Sequence, residues 1–567
     1  MVDKKLSDVE RIKTASRHLR GTLAEGLVDD VTGAIADDDT QLSKFHGIYQ
    51  QDDRDSRAER RKQKLEPAFS FMIRARIPGG VCTPEQWLAM DSLAQTHANN
   101  TLRLTTRQAF QFHGVIKSRL KSTIAGINAC LLDTLAACGD VNRNVMASPV
   151  AENREVQQAV AQWAADLSDH LTPKTGAYHE IWLDGEKQAD SEPPIEPLYG
   201  DTYLPRKFKM GLVIPPLNDV DIYTQDLGFI AVVENHKLVG FNVSVGGGMG
   251  MAHGVRETFP MLGQVIGFVP PEALVAISEA VVTTQRDFGD RTERRHARLK
   301  YTIDDRGIDW FKAQVEERSG ITLQPEKAIT FTHRGDLTGW LEDDAGLWHY
   351  GISVENGRIK DSPDGHPQQL MTGLRQIASV HKGEFRLTAN QNLIISNVDR
   401  LDKPHLEVLL DEYGIGAEVS PLRANAMACV GFPTCGLAMA ESERYLPELI
   451  DQLDESLARH GLEDEPMVIR MTGCPNGCAR PYAAEIGLVG KSAGRYAVFL
   501  GGDFEGHRLN QLYKDNVADD ELVGLLDSLF ASFAKDRKPE EHFGDYLIRS
   551  GVVAKTVHGS DIHGVAA

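Results

Sequence analysis

Cysteine is scarce in this chain of 567 residues: the seven present are too few, and odd in number, for a disulfide scaffold. The first twenty residues have no apolar core, so we expect no secretory signal. The most apolar stretch, residues 259–277, is broken by two prolines and a glutamate, which excludes a membrane span. With 61 basic against 81 acidic residues, the net charge of −20 argues against general binding to nucleic acid or anionic membranes. These absences favour a cytoplasmic protein.

The composition is that of a globular protein, with 41% apolar and 25% charged residues. At roughly 100–200 residues per domain, the length predicts about three or four domains. Residues 102–108 (LRLTTRQ) recur as 385–391 (FRLTANQ), and residues 144–148 (NVMAS) recur as 425–429 (NAMAC). The two offsets, 385 − 102 = 283 and 425 − 144 = 281, are too long for a solenoid. They indicate a duplicated module with two halves related by an approximate two-fold axis, in which Ser148 aligns with Cys429.

Each half is predicted to open with a strand–helix–strand unit, at about 68–145 and 346–420. In the first unit, residues 68–80 alternate as a strand does, and a helix follows with Thr83 as N-cap and Pro84 at its first position. Residues 1–67 contain a dense charge run, which fits a solvated surface or an arm that docks on a partner. Beyond about residue 552 we expect a loosely ordered tail in which His558 and His563 are exposed rather than ligands.

Four cysteines fall into two pairs, with the spacing C-x5-C, 38 residues, C-x3-C: Cys429, Cys435, Cys474 and Cys478. Structural zinc sites usually have the tighter C-x2–4-C spacing, so the first pair fits zinc poorly. Four thiolates at irregular spacing, with glycine and proline between them, favour a [4Fe–4S] cluster. Zinc and unrelated buried thiols remain the alternatives. We expect Cys82, Cys130 and Cys138 to be ordinary core residues.

The cysteine pattern occurs together with other motifs: FHGIYQQDDRD, RLTTRQAFQFHG, NRNV, YLPRKFK, VGGG and VVTTQRDFGDRT. With these motifs the chain resembles the siroheme-containing sulfite and nitrite reductases from about Leu19 to Val552, and most closely the hemoprotein subunits of the bacterial NADPH-dependent assimilatory type. The resemblance implies an α+β fold with pseudo-two-fold symmetry, made of two ferredoxin-like halves and two larger α/β domains. The domains implied are an N-terminal docking arm (1–67), a first ferredoxin-like half (68–145), a first siroheme-binding domain (146–345), a second ferredoxin-like half (346–420) and a cluster-carrying domain (421–567).

The resemblance implies that the four paired cysteines bind a [4Fe–4S] cluster and that the thiolate of Cys478 also bridges to the iron of siroheme. Siroheme carries eight carboxylates, so even an acidic protein must build a basic pocket around it, and arginine suits carboxylates because of its planar donors. The siroheme-binding residues implied are Arg103, Arg107 and Arg298, with neutral hydrogen bonds from Thr105, Gln108, Gln391 and Asn476. The glycines at 246–248 either let the backbone approach a carboxylate or form a plain loop.

The resemblance assigns the substrate, sulfite, to Arg74, Arg143, Lys207 and Lys209. We interpret the two arginines as clamps and the two lysines as proton relays, because lysine can lose its proton whereas arginine is effectively always charged. The implied reaction is the six-electron reduction of sulfite to sulfide for cysteine biosynthesis. The alternative is a ferredoxin-dependent sulfite or nitrite reductase, and nitrite-reducing relatives tend to have asparagine at the position of Lys209. A third possibility is a binding module with a merely structural metal site.

The source of electrons must lie outside this chain. The segment VGGGMGMAHG lacks the strand–turn–helix setting of a dinucleotide-binding fingerprint, and no flavin module is recognisable. The resemblance implies a flavoprotein partner that carries FAD and FMN and oxidises NADPH, and residues 1–67 are the predicted docking segment.

Overall fold

A computed structural model describes residues 5–174, 196–362, 369–416 and 419–564, together with the backbone of two short strands at 182–183 and 186–187. In this part of the chain, no helix is both long and apolar enough to cross a membrane.

Helices and strands are interspersed along the chain, often in runs of two or more. The helices are α1 (Asp8–Ala15), α2 (Leu23–Val28), α3 (Asp39–Leu42), α4 (Arg57–Lys62), α5 (Pro84–His97), α6 (Leu120–Ala129), α7 (Arg154–His170), α8 (Leu274–Phe288), α9 (Leu299–Arg306), α10 (Ile308–Ser319), α11 (Leu370–Val380), α12 (Lys403–Glu412), α13 (Pro421–Ala424), α14 (Leu446–Arg459), α15 (Asp519–Asp536) and α16 (Phe543–Arg549). The strands are β1 (Ile48–Asp52), β2 (Phe69–Arg74), β3 (Val81–Cys82), β4 (Leu102–Leu104), β5 (Phe110–Val115), β6 (Met146–Ala147), β7 (Trp182–Leu183), β8 (Glu186–Lys187), β9 (Met210–Val213), β10 (Leu227–Glu234), β11 (Lys237–Val245), β12 (Gln264–Val269), β13 (Gly339–Glu342), β14 (Trp348–Ile352), β15 (Arg358–Ile359), β16 (Glu384–Leu387), β17 (Leu393–Val398), β18 (Ala426–Ala428), β19 (Ile469–Thr472), β20 (Ile486–Ser492), β21 (Arg495–Leu500) and β22 (Gln511–Ala518).

Two pairs of matching sheets confirm the predicted duplication. The sheets β1-β2-β5-β4-β15 and β13-β14-β17-β16-β3 are antiparallel ferredoxin-like sheets, one for each half. The sheets β12-β11-β10-β9-β6 and β18-β19-β20-β21-β22 each join three parallel strands to an antiparallel pair. The arrangement is the α+β fold with pseudo-two-fold symmetry that the resemblance implies.

Each ferredoxin-like half donates a two-residue strand to the other half's sheet. Strand β15 pairs with β4, with Arg358 opposite Arg103, and β3 pairs with β16, with Cys82 opposite Phe385. Both exchanges require a glycine, because a Cβ on Gly80 or Gly357 would lie 2.3 or 2.2 Å from a carbonyl oxygen of the other half. The two halves therefore share one core, and neither of the predicted units at 68–145 and 346–420 completes its sheet by itself.

The helix after β3 begins as its sequence predicts. Thr83 and Gln86 form a reciprocal capping box, and Pro84 occupies the first helical position. Helix α5 packs on its two-fold counterpart α11. Trp87 of α5 stacks on Phe385 of β16, with ring centroids 4.9 Å apart. The shared core is thus formed by both halves.

The structure corrects the extent of the N-terminal arm predicted for residues 1–67. Strand β1 pairs along its whole length with β2, and Leu19, Leu42 and Phe45 are buried in the core. Even a charged residue is internal, since Lys13 is buried with Glu10 and within 3.7 Å of Asp140. Buried ion pairs let a polar sequence enter a core, a possibility that composition does not reveal. Helices α2 and α4 stay at the surface, and neither has a buried residue.

The predicted loose tail is also wrong for residues 553–564. Ile562 is fully buried, and His558 Nε2 lies 2.9 Å from Asp304 Oδ1 while its ring contacts Phe259. The segment packs over residues 258–261, where Ile562 lies in the same apolar cluster as Phe259 and Met261. This apolar contact orders a segment whose polar sequence predicts loose order. His558 is nevertheless exposed, as predicted.

A buried carboxylate joins the two larger sheets. Asp221 contacts the guanidinium groups of Arg334, at 3.3 Å, Arg470, at 2.6 Å, and Arg480. Asp221 and Arg480 both have positive φ angles and each precedes a matching 3-10 turn, so they are two-fold counterparts that bind each other. Burial raises the pKa of Asp221, but the three arginines more than offset this and hold the pKa well below its usual range.

We predict that Asp221→Asn lowers the free energy of unfolding by about 3–5 kcal/mol, because removing one partner leaves buried charges uncompensated. Chemical denaturation monitored by circular dichroism measures the change. The control is Asp402→Asn, which removes an exposed pair with Lys382 and should cost less than about 1 kcal/mol. Equal effects of the two substitutions would contradict the structural role of Asp221.

Candidate functional site

The four paired cysteines emerge at one edge of the second large sheet. Strands β18 and β19 are parallel, with Ala428 opposite Met471, so their carboxyl ends coincide. Cys429 directly follows β18, and Cys474 follows β19 after Gly473. The backbone N–H of Cys429 donates to the carbonyl of Met471 at 3.1 Å, which joins the two cysteine loops.

Donors in these loops face the sulfur atoms. The N–H of Gly473 donates to Cys429 Sγ at 3.2 Å, and the side-chain amide of Asn476 lies 3.5 Å from Cys474 Sγ. Only glycine fits at position 473, because a Cβ would lie 2.7 Å from the carbonyl oxygen of Ala440. Such donors stabilise thiolate charge and tune the reduction potential of a bound cluster.

The spacing of the thiols fits a mononuclear site poorly. Among the described residues, Asp503, Glu505 and His507 bring three possible metal-ligand atoms within 4.8 Å of one another. No three cysteine sulfur atoms of the described chain lie that close together. Tetrahedral zinc with Zn–S bonds of about 2.3 Å would hold its sulfur atoms about 3.8 Å apart. Burial, followed by the neighbouring Cys478 and Cys435, raises the pKa of Cys429 to about 12, so binding as thiolates needs positive charge from a metal. The four thiols fit a larger, polynuclear cluster.

The equivalent edge of the first half holds no thiol. Ser148 follows β6 as Cys429 follows β18, and Asp219 lies six residues past β9 as Cys478 lies six past β19. The Ser148 hydroxyl donates to Asp219 Oδ1 at 2.7 Å. A hydrogen bond therefore occupies the place of two of the predicted cluster ligands.

A cavity of about 470 Å³ adjoins the cysteine loops. Its walls include the segments 250–253 and 474–476, and Glu293 is its one acidic lining residue within the described structure. The cationic side chains that line it are Arg206, Lys207, Arg294, Arg295 and Arg298. Five cations against one carboxylate make the cavity suited to a polyanion.

Lys207 and Lys209 are held in unusual environments. Burial, then Arg206, Arg298 and Arg143, lowers the pKa of Lys207 to about 7. Burial and Lys207 lower the pKa of Lys209 well below its ordinary value. In an anion-binding site without its anion, basic side chains lie close together and repel one another, which lowers their pKa values. Lys207 and Lys209 have this property.

The predicted arginine clamps lie in the same region. Arg74, at the end of β2, donates to Cys138 Sγ at 3.1 Å and to Gln111 Oε1 at 3.0 Å, and its buried Nε has no hydrogen-bond partner. Arg143 is buried and donates twice to the carbonyl of Gly139. Arg143 also interacts with Tyr49.

Of the predicted siroheme-binding arginines, Arg298 lines the cavity, whereas Arg107 donates to Gln225 Oε1 and to the carbonyls of Asn144 and Met210. Arg298 is the N-cap residue of α9 and pairs with Asp226 at 2.9 Å. The same carboxylate accepts from the backbone N–H of Lys209. Arg107 is buried, and burial together with Arg143 and Arg480 lowers its pKa to about 9. The glycines at 246–248 pack against backbone and against Arg298, since a Cβ on Gly248 would lie 2.9 Å from Nη2 of Arg298.

The remaining predicted residues are placed differently. Asn476 lines the cavity. Arg103 instead donates to the carbonyl of Ala428, beside the cysteine loop. Thr105 accepts from the N–H of Arg107 and supports its loop. The side-chain amide of Gln108 donates to the carbonyl of Ala147 and accepts from the N–H of the same residue. The side-chain amide of Gln391 donates to the carbonyl of Asn356. Contact of either glutamine with a macrocycle stays a prediction.

Sequence reasoning missed several residues of the site. Arg206 directly precedes Lys207 in a motif already singled out, so its neighbour could have revealed it. Arg294 and Arg295 reach the cavity from a 3-10 turn between the motif VVTTQRDFGDRT and Arg298, so their position beside two predicted features could have revealed them. Cys138 is buried as predicted for a core residue, but its sulfur contacts a predicted substrate arginine.

Comparisons with known proteins identify the family of this chain, although the match to the 4Fe-4S domain lies in the first half and includes none of the four paired cysteines. Residues 63–130 and 341–413 match the nitrite/sulfite reductase ferredoxin-like half domain, and residues 162–323 match the nitrite and sulphite reductase 4Fe-4S domain. The chain is 55% identical over 564 residues to a sulfite reductase [NADPH] hemoprotein beta-component of Staphylococcus haemolyticus, covering 99% of this chain and 98% of that protein. The chain belongs to the nitrite and sulfite reductase family.

Other members of the nitrite and sulfite reductase family are similarly close. A protein of the same description from Myxococcus xanthus is 56% identical, covering 97% of both chains. The solved structure of the Mycobacterium tuberculosis NirA protein superimposes with a TM-score of 0.79 at 25% identity, covering 96% of this chain and 97% of that one. The fold and both cofactors expected from the resemblance, siroheme and a [4Fe–4S] cluster, are those of the family.

We predict that inorganic sulfate, which is a dianion at both pH values, stabilises the siroheme-free protein more strongly at pH 6 than at pH 9. Lys207, with a pKa of about 7, is charged at the lower pH and neutral at the higher, so the cavity attracts anions less as the pH rises. The rise in the midpoint of thermal unfolding on adding sulfate measures this. Lys207→Met should weaken the pH dependence; an undiminished dependence would assign it to another group.

Proposed function

We propose that this chain reduces sulfite to sulfide with six electrons, as the hemoprotein subunit of an NADPH-dependent assimilatory sulfite reductase. The observation that carries the proposal is one continuous site, in which the four-thiol edge borders a cavity lined by five cations. The relatives' names, sulfite reductase [NADPH] hemoprotein beta-component, support the same activity.

The donor set fits the two groups this function requires. Cys429, Cys435, Cys474 and Cys478 would hold the cluster, and Cys478 would also help to hold the siroheme. The cavity cations would bind the siroheme carboxylates. When bound, the siroheme and cluster supply electrons to the substrate one at a time.

Arg74 and Arg143 would clamp the oxygens of sulfite. Their permanent charge stabilises the negative charge that accumulates as electrons arrive. Arg74 is fixed by Gln111 and Arg143 by Gly139, so both are oriented before the substrate binds. Preorganised donors of this kind need little rearrangement during reaction.

Lys207 and Lys209 would deliver the protons that convert the three sulfite oxygens into water. A donor works best when its pKa is near the working pH, and Lys207 has a pKa of about 7. The backbone of Lys209 is held by Asp226, which also holds Arg298. The shared carboxylate couples the position of a proton donor to that of a siroheme-binding residue.

The test is steady-state kinetics with sulfite and nitrite, using the isolated holoenzyme and a chemical reductant. We expect siroheme bands in the visible spectrum and a preference for sulfite. Lys209→Met should lower kcat for sulfite by about 100-fold or more, because a positioned general acid typically contributes that much, while the siroheme bands persist. Full turnover by this variant would remove the relay role, and a strong preference for nitrite would favour a nitrite reductase.

We infer that the electron donor is a flavoprotein carrying FAD and FMN, and that it docks at helix α4. Arg54 supports this location: it donates to the carbonyls of Cys435 and Ala438 and stacks on Phe432, 4.4 Å from the ring centroid. A groove beside it is lined by four cations and one alanine: Arg54, Arg57, Ala58, Arg61 and Lys62. A basic groove in contact with a cluster loop suits an acidic donor surface.

We predict that the double variant Arg61→Glu, Lys62→Glu raises the KM for the flavoprotein about tenfold at low salt and leaves dye-driven sulfite reduction unchanged. The two introduced glutamates repel an acidic partner, and they lie outside the sulfite-binding site, so the reaction itself is unaffected. The matched control, Lys382→Glu with Arg400→Glu, reverses two exposed cations outside the groove and should change neither rate. Loss of both activities in the first variant would contradict the docking role of α4.

A further inference from the structure

A buried carboxylate lies between two arginines where the exchanged strand β15 meets β4. Glu443 Oε2 is 2.8 Å from Arg103 Nε, and Glu443 Oε1 is 2.7 Å from Arg358 Nε. These arginines face each other in the strand register, one from each half of the molecule. We call Arg103, Glu443 and Arg358 the exchange triad.

The exchange triad touches the cluster loop through Arg103. Nη2 of Arg103 donates at 3.0 Å to the carbonyl of Ala428, the residue before Cys429. Glu443 is further fixed through its own backbone, because its carbonyl accepts from the side-chain amide of Asn356 at 3.0 Å. The carboxylate thus holds a cation next to the first cluster ligand.

The exchange triad is shielded from solvent. The side chains of Arg103 and Glu443 are 5% and 13% exposed, which is low enough for their charges to act through protein rather than water. Burial raises the pKa of Glu443, but Arg358 and Arg103 more than offset it and lower the pKa below its usual value. Glu443 is therefore ionised at neutral pH, and the exchange triad has a net charge of +1.

We propose that Glu443 is a positioning residue that holds Arg103 against the backbone of the first cluster ligand, and that the charges of the exchange triad set the reduction potential of the cluster. The inference rests on the proposed function only in requiring a bound [4Fe–4S] cluster. A nearby positive charge stabilises the reduced, more negative cluster and raises its potential; a negative charge lowers it. Charge and burial near a cluster are established means of tuning its potential.

The test is a redox titration of the holoenzyme, with the reduced cluster followed by electron paramagnetic resonance. Glu443→Gln removes a negative charge and keeps an amide of the same shape, so the midpoint potential should rise. Arg103→Met removes a positive charge, so the potential should fall. Arg103→Lys keeps the charge and should stay closer to the parent than Arg103→Met does. Shifts of opposite sign are not expected from a merely structural role, since damage moves both variants the same way.

Asp91→Asn is the matched control, because Asp91 is a buried carboxylate paired with Arg375 between α5 and α11, which supply no residue to the site. It should leave the cluster potential unchanged. If Glu443→Gln does not retain a cluster, Arg358→Met decides the question by lowering the potential while the contact of Arg103 with Ala428 remains. Potentials that do not move, or that move in one direction for both charge changes, would overturn the inference and leave sulfite reduction intact. A parent protein without cluster or siroheme would instead overturn the proposed function.

Discussion

The arrangement of the site depends on buried positive charges held close together without enough carboxylates to balance them. Burial, and then the neighbouring Arg206, Arg298 and Arg143, lowers the pKa of Lys207 to about 7. Burying like charges costs free energy, and a polyanion in the cavity removes that cost. Anion binding and the stability of this region are therefore linked. The few carboxylates present, such as Asp226, orient individual basic side chains but do not neutralise all the positive charge of the site.

The duplicated fold supplies the rigidity that such a site requires. Reciprocal exchange of β3 and β15 gives the two halves one core, and Asp221 with its three arginines joins the larger sheets. The same symmetry that builds the frame is broken at its functional edge. Ser148 and Asp219 bond to each other where the second half has Cys429 and Cys478. One half therefore carries the cluster while the other completes the frame.

How far the sequence predicts the site depends on how local each feature is. The spacing of the four cysteines, the capping of α5 and the repeat at 102–108 and 385–391 are local patterns, and each corresponds to an element or loop in the structure. The role of Arg103 is not local, since its partner Ala428 lies more than 300 residues away. The motif that contains Arg103 predicts that this residue lies near the cofactors. Its contact with the carbonyl of Ala428 depends on how the two halves pack together.

By itself, the sequence determined the acidic balance that requires a locally basic pocket and the existence of two related halves, and it predicted the cluster ligands, because these are written in spacing, composition and repetition. Only the tertiary structure decided that Leu19, Phe45 and the ion pair of Lys13 with Glu10 lie in the core, that the C-terminal segment is anchored by Ile562, and that Arg294 and Arg295 join Arg206 at one cavity. The physical reason is that burial and charge pairing between distant segments depend on how sheets and loops pack in three dimensions. Local sequence patterns do not specify which distant segments pack together.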